Sequence, residues 1–456
     1  MDAPAPPPLA PVADRLAAGA VRRRLVPRGV HAEWSPPADR ADPIEILIAE
    51  GKRRIPELLL LRYTRMQASP FAFLRGAAAI MATDLEMTPT TGLRVQACGD
   101  CHLANFGTYA SPEGIPLFDV NDFDETLPAP FEWDLKRLAT SLAVAGRRAG
   151  LSDGACHKLA RRAARAYRKT VARLAPLPPL LAWNDRVDLR AAIEDIDDHG
   201  MRRRMEKHLD AAMRGARTHY DLPELKDGVW TIQDKPDQVV HHARRHEATA
   251  RAAFAAYAAT LQEDRRVLLS RYSLRDVAFK VVGIGSVGTF CAIGLFVSPD
   301  DSPLILQLKE AQASVLAPHA GASAYVNQGE RVVTGQRMLQ AATDIFLGFP
   351  HEKVDGRYFY VRRLKDEQLA AIGTDFEAAL PFHARLCGRT LGRAHARAGD
   401  AAILAGYMGG GSVFDHAIAD FALAYADQTE RDWQAFRAAI DTGRLTSQRP
   451  DHARPG

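Results

Sequence analysis

The sequence predicts an α+β fold with a mostly helical large lobe and a small antiparallel β lobe. A chain of 456 residues with 47% hydrophobic content can bury large cores and is long enough for two or more lobes. Apolar residues recur at spacings of three and four in residues 43–85 and 135–174, which is typical of helices that face a core. Between residues 277 and 308 the pattern changes to short β-rich runs with glycines between them.

The composition disfavours several classes of protein. Lys and Arg number 59 against 55 for Asp and Glu, so we expect neither nucleic acid nor a membrane surface as a partner. Five cysteines at irregular spacing argue against a disulfide framework and for a reducing compartment. The N-terminus lacks a secretory pattern, and the longest uncharged run, 281–297, is shorter than a membrane-spanning helix of about 20 residues. We therefore expect a soluble, cytoplasmic protein.

The first 42 residues are rich in Pro, Ala and Arg and have no sustained apolar period, so a flexible arm is expected over 1–42. Two helical segments should follow in residues 43–85. Arginines in this part could be ordinary solvated charges, or they could gather on an anionic substrate because a guanidinium matches phosphate geometry. These arginines are Arg62, Arg65 and Arg75.

The densest group of oxygen ligands lies between residues 98 and 137. Asp100 is followed five residues later by Asn105, and a short apolar run then delivers Asp119, Asp122 and Asp124. A phosphoryl-transfer site needs a carboxylate that accepts the nucleophile's proton, an amide oxygen and a carboxylate for Mg²⁺, and a cation on the phosphates. Asp100, Asn105 and Asp122 fit the first three roles. Each aspartate could instead only close a turn, because Asp and Asn bond to their own backbone.

Two cysteines in the same stretch offer a different chemistry. Cys98 and Cys101 flank Asp100 in a CxxC pattern, which could be redox-active or form half of a zinc site. The remaining cysteines form no second pair: Cys156, Cys291 and Cys387. Support for a metal or redox role is therefore weak.

Charged helical segments are expected at residues 135–174, 186–217 and 241–269. Three histidines at the start of the last segment could share one helix face: His241, His242 and His246. A zinc pair would need a further ligand and a general base nearby, so a surface position is the favoured interpretation.

A glycine-rich hairpin is predicted between β-rich runs at 277–282 and 289–297. Its GxGxxG pattern supplies Gly283, Gly285, Ser286 and Gly288. A dinucleotide-binding fold needs a helix directly after the third glycine, whereas a second strand follows here, so a hairpin that covers phosphates fits better. A glycine hairpin without a ligand is the alternative.

A third strand, 304–308, ends in Lys309, the position at which a kinase lysine contacts nucleotide phosphates. A helical segment over about 323–344 carries Glu330, and the alternating residues 357–364 suit a linker strand between two lobes. Helices are expected again from 376 to about 442.

The stretch from residue 98 to residue 137, called the central stretch below, resembles a known class of phosphotransferases. GDCHLAN, at 99–105, resembles the catalytic loop of aminoglycoside and choline kinases, and NDFDE, at 121–125, resembles their metal-binding strand end. The resemblance implies Asp100 as catalytic base, His102 as a residue that holds the loop, and Asn105 with Asp122 as metal ligands. Asp119 and Asp124 compete for the metal role. It further implies Lys309 as the phosphate contact, Glu330 as the partner of that lysine, and ATP with Mg²⁺ as cofactors.

The motifs occur in a rotated order, because the glycine hairpin and Lys309 follow the catalytic loop instead of preceding it. Packing does not depend on where a chain is cut, so we expect a circularly permuted, two-lobed protein-kinase-like fold. The expected segments are a large helical lobe (43–270), a small β-rich nucleotide-binding lobe (271–365), helices that complete the large lobe (366–442) and a flexible tail (443–456).

Residues 42–442 also resemble the bacterial family known as domain of unknown function 2252, placed with the protein-kinase-like superfamily. SPFAFLRG, GDCHLANFG, NDFDE and AYADQTERD carry this resemblance. It implies a nucleotide site and names no acceptor. We expect an ATP- and Mg²⁺-dependent phosphotransferase that acts on a small molecule. The alternatives are AMP transfer to a protein and a non-catalytic nucleotide-binding scaffold.

Overall fold

The computed structural model describes residues 10–215, 222–236, 238–241, 244–281, 283–364 and 379–445, and it confirms a mixed α+β fold. The α-helices of the described residues are α1 (Val12–Leu25), α2 (Pro43–Gly51), α3 (Pro56–Gln67), α4 (Pro70–Gly76), α5 (Ala78–Glu86), α6 (Phe131–Arg148), α7 (Asp153–Leu174), α8 (Pro179–Trp183), α9 (Leu189–Glu194), α10 (His199–Gly215), α11 (Arg244–Ala258), α12 (Glu263–Leu269), α13 (Ala317–Ala320), α14 (Gln328–Leu339), α15 (Leu380–Ala398), α16 (Ala401–Met408) and α17 (Val413–Asp441). The strands are β1 (Arg94–Ala97), β2 (Phe106–Ala110), β3 (Pro116–Val120), β4 (Leu127–Pro130), β5 (Pro223–Lys226), β6 (Val229–Ile232), β7 (Val239–Val240), β8 (Ser273–Lys280), β9 (Cys291–Val297), β10 (Pro303–Ala311) and β11 (Tyr358–Arg363).

The helical part is built around α6, which packs against α7, α15 and α17. Nearly every side chain of α6 is buried, so this helix is a central element and not an amphipathic surface helix. Its first turn carries Glu132 and Asp134 and its last turn Arg147 and Arg148, charges that suit the two ends of the helix dipole.

The β-rich part is a five-stranded antiparallel sheet in the order β11-β10-β9-β8-β7. One face of the sheet packs on α11 through Phe254 and Tyr257, and the other face packs around Ile232 of β6. The central strand β9 is therefore buried on both sides. Strand β10 continues to Ala311, so Lys309 lies within the strand, opposite Tyr360, and not at its end.

Two short strand pairs hold the central stretch in the helical part. β1 pairs with β4, and β2 pairs with β3 with Phe106 opposite Val120. Just beyond this register the backbone N–H of Asn121 donates to the carbonyl of Asn105 at 2.8 Å. The pairing therefore sets Asn105 beside the start of the NDFDE segment.

The expectation of a flexible arm over 1–42 is wrong for residues 10–42. Helix α1 packs along α16, with Gly19 against the backbone of Ile403 and Gly406 against the backbone of Leu16. Arg23 donates to the carbonyl of Tyr407 at the C-terminal end of α16. The sequence shows no apolar period here because the contact is made through glycines and backbone. Residues 1–9 lie outside the described residues.

Two further expectations differ from the structure, one for the segment from residue 241 and one for the C-terminal tail. A helix was expected to begin at residue 241, but α11 begins at Arg244. His241 lies before this helix and pairs with Asp234 and Asp276. His242 lies outside the described residues. Within the expected flexible tail, 443–456, Leu445 is buried; residues 446–456 lie outside the described residues. In the described ranges, no helix combines the length and the apolar character that crossing a membrane requires.

Candidate functional site

A cleft of about 580 Å³ lies where the five-stranded sheet meets the helical part. Its walls come from the central stretch, from the loop between β8 and β9, from β10 and from the segment of α3 and α4. The structure brings most of the predicted site residues together on these walls: Asp100, His102, Asn105, Asp122, Asp124, Gly283, Gly285, Ser286 and Lys309.

The loop that carries Asp100 is held by the first turn of α6. The buried carboxylate of Asp134 accepts hydrogen bonds from the backbone N–H of Cys98 at 2.8 Å and of Gly99 at 3.0 Å. Gly99 has φ +86, and a Cβ there would lie 2.3 Å from the carbonyl oxygen of Glu125, so the turn requires glycine. Burial alone would raise the pKa of Asp134, but hydrogen bonds from His395 and Cys98 outweigh it and the pKa is lowered.

The Asp100 carboxylate is oriented by a cation from the same helix. Arg137 Nε donates to Asp100 Oδ1 at 2.6 Å, and the side chain of Asp100 keeps 16% exposure toward the cleft. Nε2 of His102 lies 3.7 Å from Oδ2 of Asp100. Burial lowers the pKa of His102 to about 4, so this ring is neutral near pH 7 and acts as a packed support of the loop.

Asn105 and Asp122 present oxygen atoms at the same end of the β2–β3 pair. The amide nitrogen of Asn105 donates to the carbonyl of Asp100 at 2.7 Å, which leaves its amide oxygen as the atom able to act as a ligand. Asp122 has a side chain that is 31% exposed, and its Oδ1 accepts from the backbone N–H of Asp124 at 3.2 Å. Two hard oxygen donors therefore border the cleft next to Asp100.

Lys309 and Asp124 form a close ion pair across the cleft. Nζ of Lys309 lies 2.5 Å from Oδ2 of Asp124 and 3.7 Å from Oδ1 of Asp122. Burial acts to lower the pKa of Lys309, but the two carboxylates outweigh burial and raise that pKa well above its usual value. Asp124 also accepts from Tyr360 Oη at 2.6 Å and from Ser286 Oγ at 3.0 Å, so both of its oxygens are engaged.

The glycine hairpin is docked on the start of α3. Arg54 donates to the carbonyls of Gly285 at 2.9 Å and Val287 at 2.7 Å, and the backbone N–H of Ile55 donates to the carbonyl of Gly288 at 2.7 Å. Gly288 contacts Arg54 and is not part of the cleft wall. The hairpin tip therefore lies over the cleft between Arg54 and Asp124.

Three predicted site residues do not line the cleft: Gly288, Asp119 and Glu330. Asp119 is 1% exposed, and its carboxylate accepts from Arg393 Nη2 at 2.5 Å and from the backbone N–H of Ala341 at 2.9 Å. It belongs to the internal packing of the helical part and is not placed to bind a metal in the cleft.

Glu330 was expected to pair with Lys309, and that expectation is wrong. The ion pairs of Lys309 in the described residues are with Asp124 and Asp122. The next residue of α14, Arg331, is buried and donates to the carbonyls of Asp124 at 2.8 Å and Thr126 at 2.6 Å. One residue along a helix is a rotation of about 100°, so Glu330 points away from the carbonyls that Arg331 binds.

The CxxC residues form a buried group with Asp134. The ligand atoms of Cys98, Cys101 and Asp134 all lie within 4.8 Å of one another. Burial raises the pKa of both thiols, that of Cys101 to about 11. Thiol redox chemistry uses the thiolate form, so these pKa shifts disfavour a redox role.

Residues 54–439 match the model of one protein family, described as "Uncharacterized protein conserved in bacteria (DUF2252)". The chain belongs to this family. A search of curated proteins and a search of solved structures each found no match. The family assignment carries no activity, so the function of this family member has to be argued from the cleft.

Sequence reasoning missed the residues that hold the site together. Arg54 had no local pattern to mark it, since its partners are backbone carbonyls of the glycine hairpin. Arg137 stands in the WDLKR segment, three residues after Asp134, and this helical spacing was the available signal. Tyr360 lies in the alternating strand whose period was recognised, and its contact with Asp124 depends on sheet register.

Proposed function

We propose that the chain is a kinase-like phosphotransferase with a circularly permuted motif order. It would move the γ-phosphoryl group of ATP to a hydroxyl group of a small molecule, with Mg²⁺. The observation that supports this most is the meeting of Asp100, Lys309 and the glycine hairpin at one cleft, although they are far apart in the chain. Ser286 on the hairpin and Asp124 of the NDFDE segment are 3.0 Å apart.

The donor set fits the hard cation that ATP chemistry requires. Asp122 supplies a partly exposed carboxylate and Asn105 an amide oxygen, the ligand types that Mg²⁺ prefers. When bound, Mg²⁺ would neutralise charge on the phosphates. The ammonium of Lys309 and the backbone N–H groups of the glycine hairpin suit the same phosphates from the sheet side.

The reaction would use Asp100 as the general base. The acceptor oxygen forms a bond to the γ-phosphorus, the bond from that phosphorus to the bridging oxygen breaks, and ADP leaves with the bond electrons. The hydroxyl proton goes to the carboxylate of Asp100. Arg137 fixes the orientation of this carboxylate at 2.6 Å, while neutral His102 supports the loop.

Two substitutions separate the base from the metal ligand. Asp122→Asn should weaken Mg²⁺-dependent nucleotide binding and turnover together. Asp100→Asn should leave Mg²⁺-ATP affinity nearly intact and lower turnover by about 10²–10⁴-fold, the usual contribution of a general base. Calorimetric titration of Mg²⁺-ATP and an ADP-release assay measure these effects, with the exposed Asp420→Asn as control.

The opposite pattern, in which Asp100→Asn loses binding and Asp122→Asn keeps it, would contradict the assigned roles. Mass spectrometry of the products tests the transferred group. Detection of a protein modified by AMP would assign nucleotidyl transfer to the chain in place of small-molecule phosphorylation. If the parent chain binds no nucleotide, the proposal fails.

A further inference from the structure

One wall of the cleft carries a group of arginines beside Asp100. Arg62 and Arg65 belong to α3 and Arg75 to α4, and all three line the cleft. This arginine cluster is on the helical side, whereas Lys309 faces its carboxylates from the sheet. Its position is therefore distinct from that of the lysine expected on the nucleotide phosphates.

Arg62 is the most deeply placed member of the cluster. Its side chain is 1% exposed, and Nη2 donates to the carbonyl of Gly76 at 2.6 Å. Within the described ranges, its Nε and Nη1 are buried and have no hydrogen-bond partner. A buried guanidinium with unused donors is costly, and an anion in the cleft would remove that cost.

Among the described residues, the carboxylates that pair with Arg54 and Arg62 do not balance the charge of these two arginines. Glu50 lies 3.6 Å from Arg62 and 3.9 Å from Arg54, so one acid faces two guanidinium groups. The carboxylate of Asp100 is already paired with Arg137. The described residues around Arg54 and Arg62 therefore keep an excess of positive charge in a sheltered position, which favours an anionic ligand.

Arg75 connects the cluster with the base. Its Nη2 lies 3.7 Å from the point at which a Cβ on Gly283 would stand, and its Nε is buried without a partner in the described residues. A Cβ on Gly285 would lie 3.3 Å from the backbone oxygen of Arg75 and 3.7 Å from Oδ2 of Asp100. An anion held by Arg75 would thus bring the rest of its molecule to the base.

We infer that the acceptor of the phosphotransferase is itself an anion, a hydroxyl compound with a phosphate or carboxylate group that the arginine cluster binds. This inference rests on the proposed function and adds the substrate class. The guanidinium forks of Arg62 and Arg75 hold the anionic group, and the free hydroxyl of the same molecule faces Asp100. A cationic acceptor, such as an amino sugar, would be repelled from this wall.

Binding of inorganic phosphate tests the anion site without turnover. The full chain is saturated with Mg²⁺ and a non-hydrolysable ATP analogue, and phosphate is titrated by calorimetry. We expect one phosphate to bind beside the nucleotide, and Arg75→Gln to weaken it about 10- to 100-fold, the usual loss for a charged hydrogen bond. Arg75→Lys should restore part of the affinity. Arg190→Gln, at a half-exposed arginine paired with Asp210, should change nothing.

Competition and acceptor specificity decide the remaining alternatives. The inference would be overturned if the nucleotide analogue displaced phosphate. It would also be overturned if phosphate bound Arg75→Gln as tightly as the parent chain. ADP release should rise with glycerol 3-phosphate or glycerate and not with glycerol or aminopropanediol, and the reverse order would also overturn it. Arg75-dependent phosphate binding in a chain that binds no nucleotide would keep the anion site and remove the phosphotransferase.

Discussion

Replacing Lys309 with Met tests the ion pair at the centre of the cleft. The change removes the ammonium and keeps most of the apolar stem, so it isolates charge from packing. Lys309 is 2% exposed, with Nζ 2.5 Å from Asp124 and 3.7 Å from Asp122. Its loss leaves two neighbouring carboxylates without their cation, and the folded state should be destabilised.

The magnitude follows from the surroundings of these carboxylates. Removal of one partner from a fully buried pair costs about 3–5 kcal/mol. The side chains of Asp122 and Asp124 remain 31% and 24% exposed, and Asp124 keeps its hydrogen bonds from Tyr360 and Ser286. We therefore expect Lys309→Met to lower the free energy of unfolding by about 1–3 kcal/mol.

A double-mutant cycle with Asp124→Asn measures the pair itself. Urea unfolding of the parent, both single variants and the double variant should give a coupling energy of about 1–3 kcal/mol. Mg²⁺ should stabilise Lys309→Met more than the parent, because a bound cation replaces the missing charge. Lys207→Met, at an exposed residue of α10, is the control. A coupling energy under about 0.5 kcal/mol would refute the ion pair as a structural unit.

Three further changes follow from single contacts. Burial raises the pKa of Glu125 from 4.5 to about 7, so protonation of Glu125 stabilises the folded state at low pH. This stabilisation is lost as the pH rises from 4.5 through 7. The Tm of Glu125→Gln should therefore fall less than that of the parent between pH 4.5 and 7. Gly99→Ala should cost at least about 1–3 kcal/mol in urea unfolding, because φ is +86 and the Cβ meets a carbonyl. Gly19→Val should separate α1 from α16 and speed proteolysis near residues 10–32, unlike Gly29→Ala, which has open space. Equal proteolysis of the two variants would contradict that packing.

The sequence predicted which residues of the central stretch lie close together better than it predicted which of its aspartates reach the cleft. Asp100 and Asn105 are five residues apart in one loop, so their proximity follows from local spacing. The position of Asp119 outside the cleft depends on Arg393, which is 274 residues away from Asp119 and pairs with it inside the helical part. A partner so distant in the chain leaves no trace in a local pattern.

The rotational position of residues on a helix explains the wrong prediction for Glu330. The order of motifs places Glu330 near Lys309, but α14 begins at Gln328 and turns Arg331, not Glu330, toward the carbonyl of Asp124. A shift of one helical residue is below the resolution of apolar periodicity. Helix α1 was missed for a related reason, because its contact with α16 is made by glycines and leaves no apolar stripe.

Helix α6 explains why the central stretch could be recognised at all. Asp134 binds the backbone of Cys98 and Gly99, and one turn later Arg137 binds the carboxylate of Asp100. Residues three apart on a helix share a face, so one rigid element fixes both the loop backbone and the orientation of its acid. GDC and WDLKR are therefore two halves of one structural unit within a single short stretch of chain. Lys309 and the glycine hairpin reach this unit only through the packing of the sheet, which is why their distances to it required the structure.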